Sequence, residues 1–167
     1  MAHAQRVPHF CAGRCIYTPF AGYPFKTFLF IRSMYKTEIS IRVRYAETDR
    51  MGYSYYGNYA TYFEVARVEA LRSLGISYRS LEDSGILLPV TEYQIKFYKP
   101  ALYDDELIIL TTIPSMPGAR IRFEYATYRG DTPLNAAWTE LAFVDKQSGI
   151  PQRCPGQLKE ALSAYFK

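Results

Sequence analysis

One helical stretch, followed by a long succession of strand patterns, constrains this chain more than any other feature. Tyr59, Phe63, Ala66, Ala70 and Leu74 recur at spacings of three and four, which marks one face of a helix. Gly75 is placed to end that helix in the left-handed conformation, and SYRSLEDSG adds one or two further turns. From there strand signals dominate: ILLPVTEYQIKFYKP, then Leu107 to Ile113, then ARIRFEYATYR, in which Ile121, Phe123, Tyr125 and Thr127 alternate with polar residues. A Gly130-Asp131 turn leads into LNAAWTELAFVDK, and GQLKEALSAYF closes the chain as a short amphipathic helix. Upstream, Thr37, Ile39, Ile41, Val43 and Tyr45 alternate with Glu38, Ser40, Arg42 and Arg44, a half-buried strand. Four strands in a row with short turns should be antiparallel, and the first strand must join them. The expectation is an α+β domain, with a five-stranded antiparallel sheet against whose face the one long helix packs.

A chain of 167 residues fits one domain with a single core. Its charge is uneven. Residues 1–33 carry Arg6, Arg14, Lys26 and Arg32 and no acid, which accounts for the whole net charge of +4. From Met34 onward, acids and bases balance, so the domain lacks the basic footprint of a nucleic-acid binder. The leader has no sustained period and is broken by Pro8, Pro19 and Pro24; it is expected to be a disordered extension or an upstream start, with the domain spanning 34–167. Cys11 and Cys15, near His3 and His9, lack a second ligand pair at finger-like spacing and do not make a metal site. Cys154 is then the only thiol of the domain, which fits a reducing cytoplasm. No apolar run is long enough to span a bilayer.

Residues 34–167 contain no histidine. That excludes a Ser-His-Asp triad or a Cys-His pair within them, and it argues against zinc. No phosphate loop or dinucleotide fingerprint is present. Any reaction must therefore fall to carboxylates, tyrosines and backbone amides. The segment ETDRMGYSYYGNY offers all three. Asp49 follows a strand ending at Tyr45 and precedes a helix expected to start near Tyr55 or Tyr56. The first N–H groups of that helix would be unpaired and could polarise a carbonyl oxygen. A carboxylate beside them could attack the carbonyl carbon or deprotonate a water, and Gly52 and Gly57 would let the backbone approach a ligand. On spacing alone, Asp49 as a helix cap or a solvated loop charge stays open.

The stretch RYAETDRMGYSYYGNYATYFEVAR resembles the signature of hotdog-fold acyl-CoA thioesterases of the 4-hydroxybenzoyl-CoA thioesterase type, in Asp49, Gly52, Asn58-Tyr59 and Glu64 at that family's spacings. The resemblance covers roughly Met34 to Lys167 and implies a hotdog fold, a sheet wrapped around a central helix. It implies that Asp49 is the catalytic carboxylate, as nucleophile or general base, and that the Tyr56 N–H polarises the thioester carbonyl. Gly52, Asn58, Tyr59 and Glu64 would contribute to substrate binding, Asn58 and Tyr59 by supporting the helix start. A Glu64–Arg67 ion pair is the alternative for Glu64. Two departures stand out: Glu47 where many relatives carry Asp, and Ser54 where they carry a valine-like residue. Glu47 is expected either to support the site from behind or to be exposed, and Ser54 changes the shape and polarity of the acyl pocket.

The activity implied is hydrolysis of acyl-CoA with no metal and no bound cofactor. A non-catalytic acyl-CoA-binding hotdog module is the competing reading; a hotdog dehydratase would need a histidine that these residues lack. Lys96, Lys99, Arg120 and Arg122 are the candidates for the phosphates of coenzyme A. Open sheet edges need covering, so the expectation is a homodimer at minimum, with a shared active site, and a homotetramer by the family's habit.

Overall fold

The computed structural model describes residues 34–166. The expectations for residues 1–33, Cys11 and Cys15 included, lie outside them.

Strand β1 (Tyr35–Arg42) leads through a 3-10 turn at Tyr45–Glu47 and a loop into helix α1 (Asn58–Ser73). Helix α2 (Tyr78–Asp83), β2 (Ile86–Leu87), β3 (Val90–Phe97), β4 (Glu106–Ile113), β5 (Arg120–Arg129), β6 (Thr132–Ala142), β7 (Val144–Asp145) and α3 (Gly156–Ser163) follow. Five strands make one antiparallel sheet in the order β1-β4-β5-β6-β3, while the short β2 and β7 pair with each other. The expected five-stranded antiparallel sheet and single long helix are both present.

Alternation along the sheet sends Leu107, Ile109 and Ile113 of β4, and Ile121, Phe123 and Tyr125 of β5, to one buried face. Against it α1 buries Tyr59, Tyr62, Phe63, Ala66, Ala70 and Leu71, the i, i+3, i+4 stripe that its sequence encodes. Each such large side chain contributes about 1.5–3 kcal/mol by leaving water. The Phe63 ring stacks on Tyr125 with centroids 4.4 Å apart, fixing the rotation of the helix over the sheet. The Tyr35 hydroxyl donates to the Ala70 carbonyl at 2.9 Å, which ties β1 to the last turn of α1. Gly75, at φ +78°, ends the helix as its composition demands.

The strands differ from the sequence expectation: β1 ends at Arg42, and Tyr45, expected to close it, opens the 3-10 turn. The run Ile86–Pro100 is not one strand. Pro89 has no N–H to give a ladder, so β2 and β3 separate there, with a register shift between Val90 and Glu92. Consecutive strands β3 and β4 also do not form a hairpin. They lie apart in the sheet, with β3 on the edge beside β6 and β4 between β1 and β5, so residues 98–105 must cross the end of the sheet. Period-two patterning sets which face a residue takes, not which strand lies beside it. No helix among the described residues is long and apolar enough to cross a membrane.

Candidate active site

The loop between β1 and α1 is a miniature hairpin. Thr48 bridges Ser54, the Asp49 N–H donates to the Tyr53 carbonyl at 2.8 Å, and the Gly52 N–H donates back to the Asp49 carbonyl at 2.9 Å. Gly52 sits at φ +78°, a conformation that this tight turn requires and that only glycine takes freely. Asp49 Oδ1 accepts from the N–H groups of Met51 (2.8 Å) and Tyr53 (3.3 Å). Asp49 Oδ2 receives no donor among the described residues. One oxygen is thus anchored and the other is free.

Asp49, Ser54, Tyr56 and Tyr59 line one cavity of about 290 Å³, which Phe97 and Lys99 also line. The residues that open the crossing to β4 therefore build one wall of the site. Two bonds hold that crossing against the loop: the Ser54 N–H donates to the Ala101 carbonyl at 2.8 Å, and Tyr53 bridges Leu102. Asp105 steadies it in turn, accepting from the Leu102 N–H and from Arg129, each at 2.7 Å.

Helix α1 starts later than the sequence suggested, at Asn58 with Gly57 as its N-cap and no side-chain cap. The cap alternative for Asp49 is therefore excluded, because its carboxylate serves its own turn. The first N–H groups of the helix are also spent: Asn58 donates to the Tyr55 carbonyl, Tyr59 to Tyr56 and Ala60 to Gly57. In the loop before them, Tyr53, Ser54 and Tyr55 N–H groups are all paired. The Tyr56 N–H has no acceptor among the described residues. Among the described residues the Gly57 N–H likewise has no acceptor, so the unspent amides lie in the turn before the helix rather than in its first turn.

The remaining expected residues divide. Asn58 does not line the cavity; its carboxamide donates to the Glu47 carbonyl at 2.6 Å and the Tyr55 N–H joins the same oxygen at 2.8 Å. Tyr59 is buried and wedged edge-on against Phe97, centroids 5.2 Å apart, and burial raises its hydroxyl pKa. Glu64 is exposed on α1, away from the cavity of this chain. Its alternative partner Arg67 turns inward instead and donates to the Tyr78 hydroxyl at 3.2 Å, and among the described residues the two form no ion pair. Of the four basic candidates only Lys99 stands at the cavity. Lys96, Arg120 and Arg122 point from the opposite sheet face, where Arg120 pairs with Glu140 at 2.6 Å and Arg122 lies over Trp138 at 4.1 Å.

A network that sequence reasoning missed supports the loop from below. The Glu47 side chain is only 13% exposed and accepts from the Arg44 N–H (2.8 Å), the Arg44 guanidinium (2.9 Å) and the Tyr62 hydroxyl (2.7 Å). Burial works to raise its pKa, but these donors outweigh burial and hold the carboxyl below its usual range. Tyr62, raised by burial with a further push from Glu47, keeps its proton, and its oxygen lies 3.3 Å from Ser54 Oγ. The available signal was the position of Tyr62 one turn after Asn58, on the buried face of α1. No cluster of three or more His, Cys, Asp or Glu able to hold a metal occurs among the described residues.

A sheet wrapped on one long helix, with its cavity at the helix entrance, defines a hotdog-fold domain. The family profile of the thioesterase-like superfamily matches residues 43–162, and the chain belongs to that family. It is 33% identical to the acyl-CoA thioesterase YbgC of Haemophilus influenzae, over 73% of this chain and 90% of the relative. A solved DHNA-CoA thioesterase from Staphylococcus aureus is 32% identical, with a TM-score of 0.68 over 78% of this chain and 83% of that one. A 4-hydroxybenzoyl CoA thioesterase complexed with 4-hydroxybenzoyl CoA, 20% identical, shares the fold at a TM-score of 0.71 over 77% of this chain and 99% of its own.

Proposed function

We propose that this chain hydrolyses acyl-CoA thioesters to free acid and coenzyme A, with Asp49 as the reacting carboxylate and the Tyr56 N–H as the donor to the thioester carbonyl. The observation that carries this reading is the split role of Asp49, which lines one cavity with Tyr56: Oδ1 is held by two backbone N–H groups, while Oδ2 receives no donor among the described residues. An anchored carboxylate is pre-oriented, and an unspent amide costs nothing to redirect as negative charge develops on the carbonyl oxygen. Oδ2 either attacks the carbonyl carbon, expelling the thiolate and leaving an acyl–Asp49 anhydride for water to cleave, or takes a proton from the water that attacks. Gly52 sets the turn, Asn58 and Tyr59 hold the helix entrance and the cavity wall, and Lys99 is the cation placed for a phosphate of coenzyme A. The naming of the Haemophilus influenzae relative as an acyl-CoA thioesterase agrees with this substrate class.

The same reading includes a homodimer at minimum, formed along β3, with the site shared between copies. Supporting it, β3 is a sheet edge bonded on one side only, and it exposes Val90, Tyr93 and Phe97. Phe97 also walls the cavity, so a second strand there would deepen it. Glu64 would then meet the acyl group of the partner's site. The lone thiol of the described residues, Cys154, whose pKa burial raises to about 11, suits a cytoplasmic setting.

The test is thiol release from short, long, branched and aromatic acyl-CoAs by the wild type and Asp49→Asn. A loss of about two orders of magnitude or more in kcat/KM is expected from removing a reacting carboxylate. Equal rates would overturn the role of Asp49. Tight binding of acyl-CoA with no release from any substrate would point instead to a non-catalytic binding module. A single turnover in ¹⁸O water that leaves label in Asp49 establishes the nucleophile route with cleavage at the Asp49 carbonyl, and trapping of the acyl–Asp49 anhydride by hydroxylamine detects that route when water attacks the acyl carbonyl.

A further inference from the structure

Ser54 is a buried residue on the cavity wall whose hydroxyl is left as an acceptor, and the count of protons around it shows why. Ser54 is 7% exposed and lines the cavity together with Asp49 and Tyr56. Tyr62 has one hydroxyl proton, and it goes to Glu47 Oε2 at 2.7 Å. The Tyr62 oxygen can then only accept, so across the 3.3 Å contact with Ser54 the proton in between is that of Ser54. Glu47 is in turn held as an acceptor by Arg44, through its N–H and its guanidinium. The direction of the relay is therefore set from its far end. Ser54 Oγ is left with lone pairs and receives no donor among the described residues.

We propose that Ser54 determines acyl specificity by accepting a hydrogen bond from a hydroxyl on the acyl group, so that the preferred substrates are hydroxylated acyl thioesters. The proposal rests on the thioesterase reading and names the substrate class of that same cavity. A donor hydroxyl satisfies the Ser54 lone pairs. A plain alkyl or aryl group leaves them buried and unpaired, and an ether or carbonyl sets acceptor against acceptor. The relay forbids Ser54 from turning donor without breaking its bond to Tyr62.

The experiment measures kcat/KM for matched triplets of acyl-CoA: butanoyl, 3-hydroxybutanoyl and 3-methoxybutanoyl, and benzoyl with its hydroxy and methoxy derivatives. Wild type, Ser54→Ala and Tyr62→Phe are compared. In the wild type, at least one triplet should favour hydroxy over unsubstituted by about tenfold, the effect of one buried hydrogen bond, with methoxy lowest. Ser54→Ala should bring that ratio close to one. Tyr62→Phe keeps the serine but frees its proton, so methoxy should rise relative to hydroxy, a reversal that general loosening of the cavity would not give. A flat hydroxy preference in every wild-type triplet, or a preference retained in Ser54→Ala, would overturn the proposal. Calorimetric binding of non-hydrolysable thioether analogues of the same triplets separates the two readings. A hydroxy preference that Ser54→Ala abolishes upholds the Ser54 role even where no thioester is cleaved, and its absence rejects that role even where hydrolysis is fast. Should Ser54→Ala fail to fold, Ser54→Cys, similar in size but a weak acceptor, should lower the same ratio.

Discussion

The Asn58 carboxamide donates to the Glu47 carbonyl oxygen at 2.6 Å, so the first residue of α1 is bonded directly to the turn that precedes Asp49. The same oxygen takes the Tyr55 N–H, and the two bonds together hold the Asp49 loop against the helix entrance. Asn58→Ala should cost about 1–2 kcal/mol in urea unfolding, because a partly buried hydrogen bond is lost and its acceptor keeps one donor of two. Asn58→Asp should cost more, since it sets a carboxylate against that carbonyl. Both variants should lower kcat more than they raise KM, because the bond places the loop of the proposed reacting carboxylate rather than the ligand.

Glu47 links stability to pH. Its carboxyl lies below the usual range in the folded chain, so the stabilisation it gives is present above the ordinary glutamate pKa of about 4.3 and is lost as pH falls through the lower folded value. Glu47→Gln cannot ionise. The Tm deficit of Glu47→Gln at pH 7 should therefore shrink as pH drops below about 4, and a deficit independent of pH would contradict the assignment.

Gly52 and Gly57 are needed for different reasons. Gly52 sits at φ +78° with open space around it, so Gly52→Ala should cost about 1–2 kcal/mol from backbone conformation alone. Gly57 has an ordinary helical backbone at φ −65°, but an added Cβ would come within 2.8 Å of the Tyr55 ring. That ring is 46% exposed and can swing away. Gly57→Ala should therefore be the milder change in denaturant midpoint, and the reverse order would mean that the Tyr55 ring is held in place.

Thr111 is buried in the sheet with no partner for its hydroxyl among the described residues, and Thr37, its cross-strand neighbour, is in the same position. Burying a hydroxyl without a hydrogen bond costs free energy that a methyl group of the same shape does not. Thr111→Val should stabilise by about 1 kcal/mol, a rise of roughly 3 °C in Tm for a domain of this size. A fall in Tm would show that the hydroxyl is satisfied in solution.

Local patterning was enough for most of the elements. The period-two alternation of β1, β4, β5 and β6, the three-and-four spacing of α1 and the stop at Gly75 follow from side-chain geometry within a few residues, so they could be read directly. The place of Asp49 between a strand and a helix offers its role only as one reading among others, and its choice, like that of Tyr56, comes from the resemblance of that stretch to the thioesterase signature. Tertiary structure alone decided what depends on distant partners. It put β3 on the far edge and sent residues 98–105 across the sheet end, which brought Phe97 and Lys99 to Asp49. It turned Arg67 inward and Glu64 outward, and it left only Lys99 of four basic candidates at the cavity. It also joined Glu47, Tyr62 and Ser54 into one relay. Hydrogen-bond direction and strand order are set by which groups meet across the fold, and sequence periodicity carries no record of those meetings.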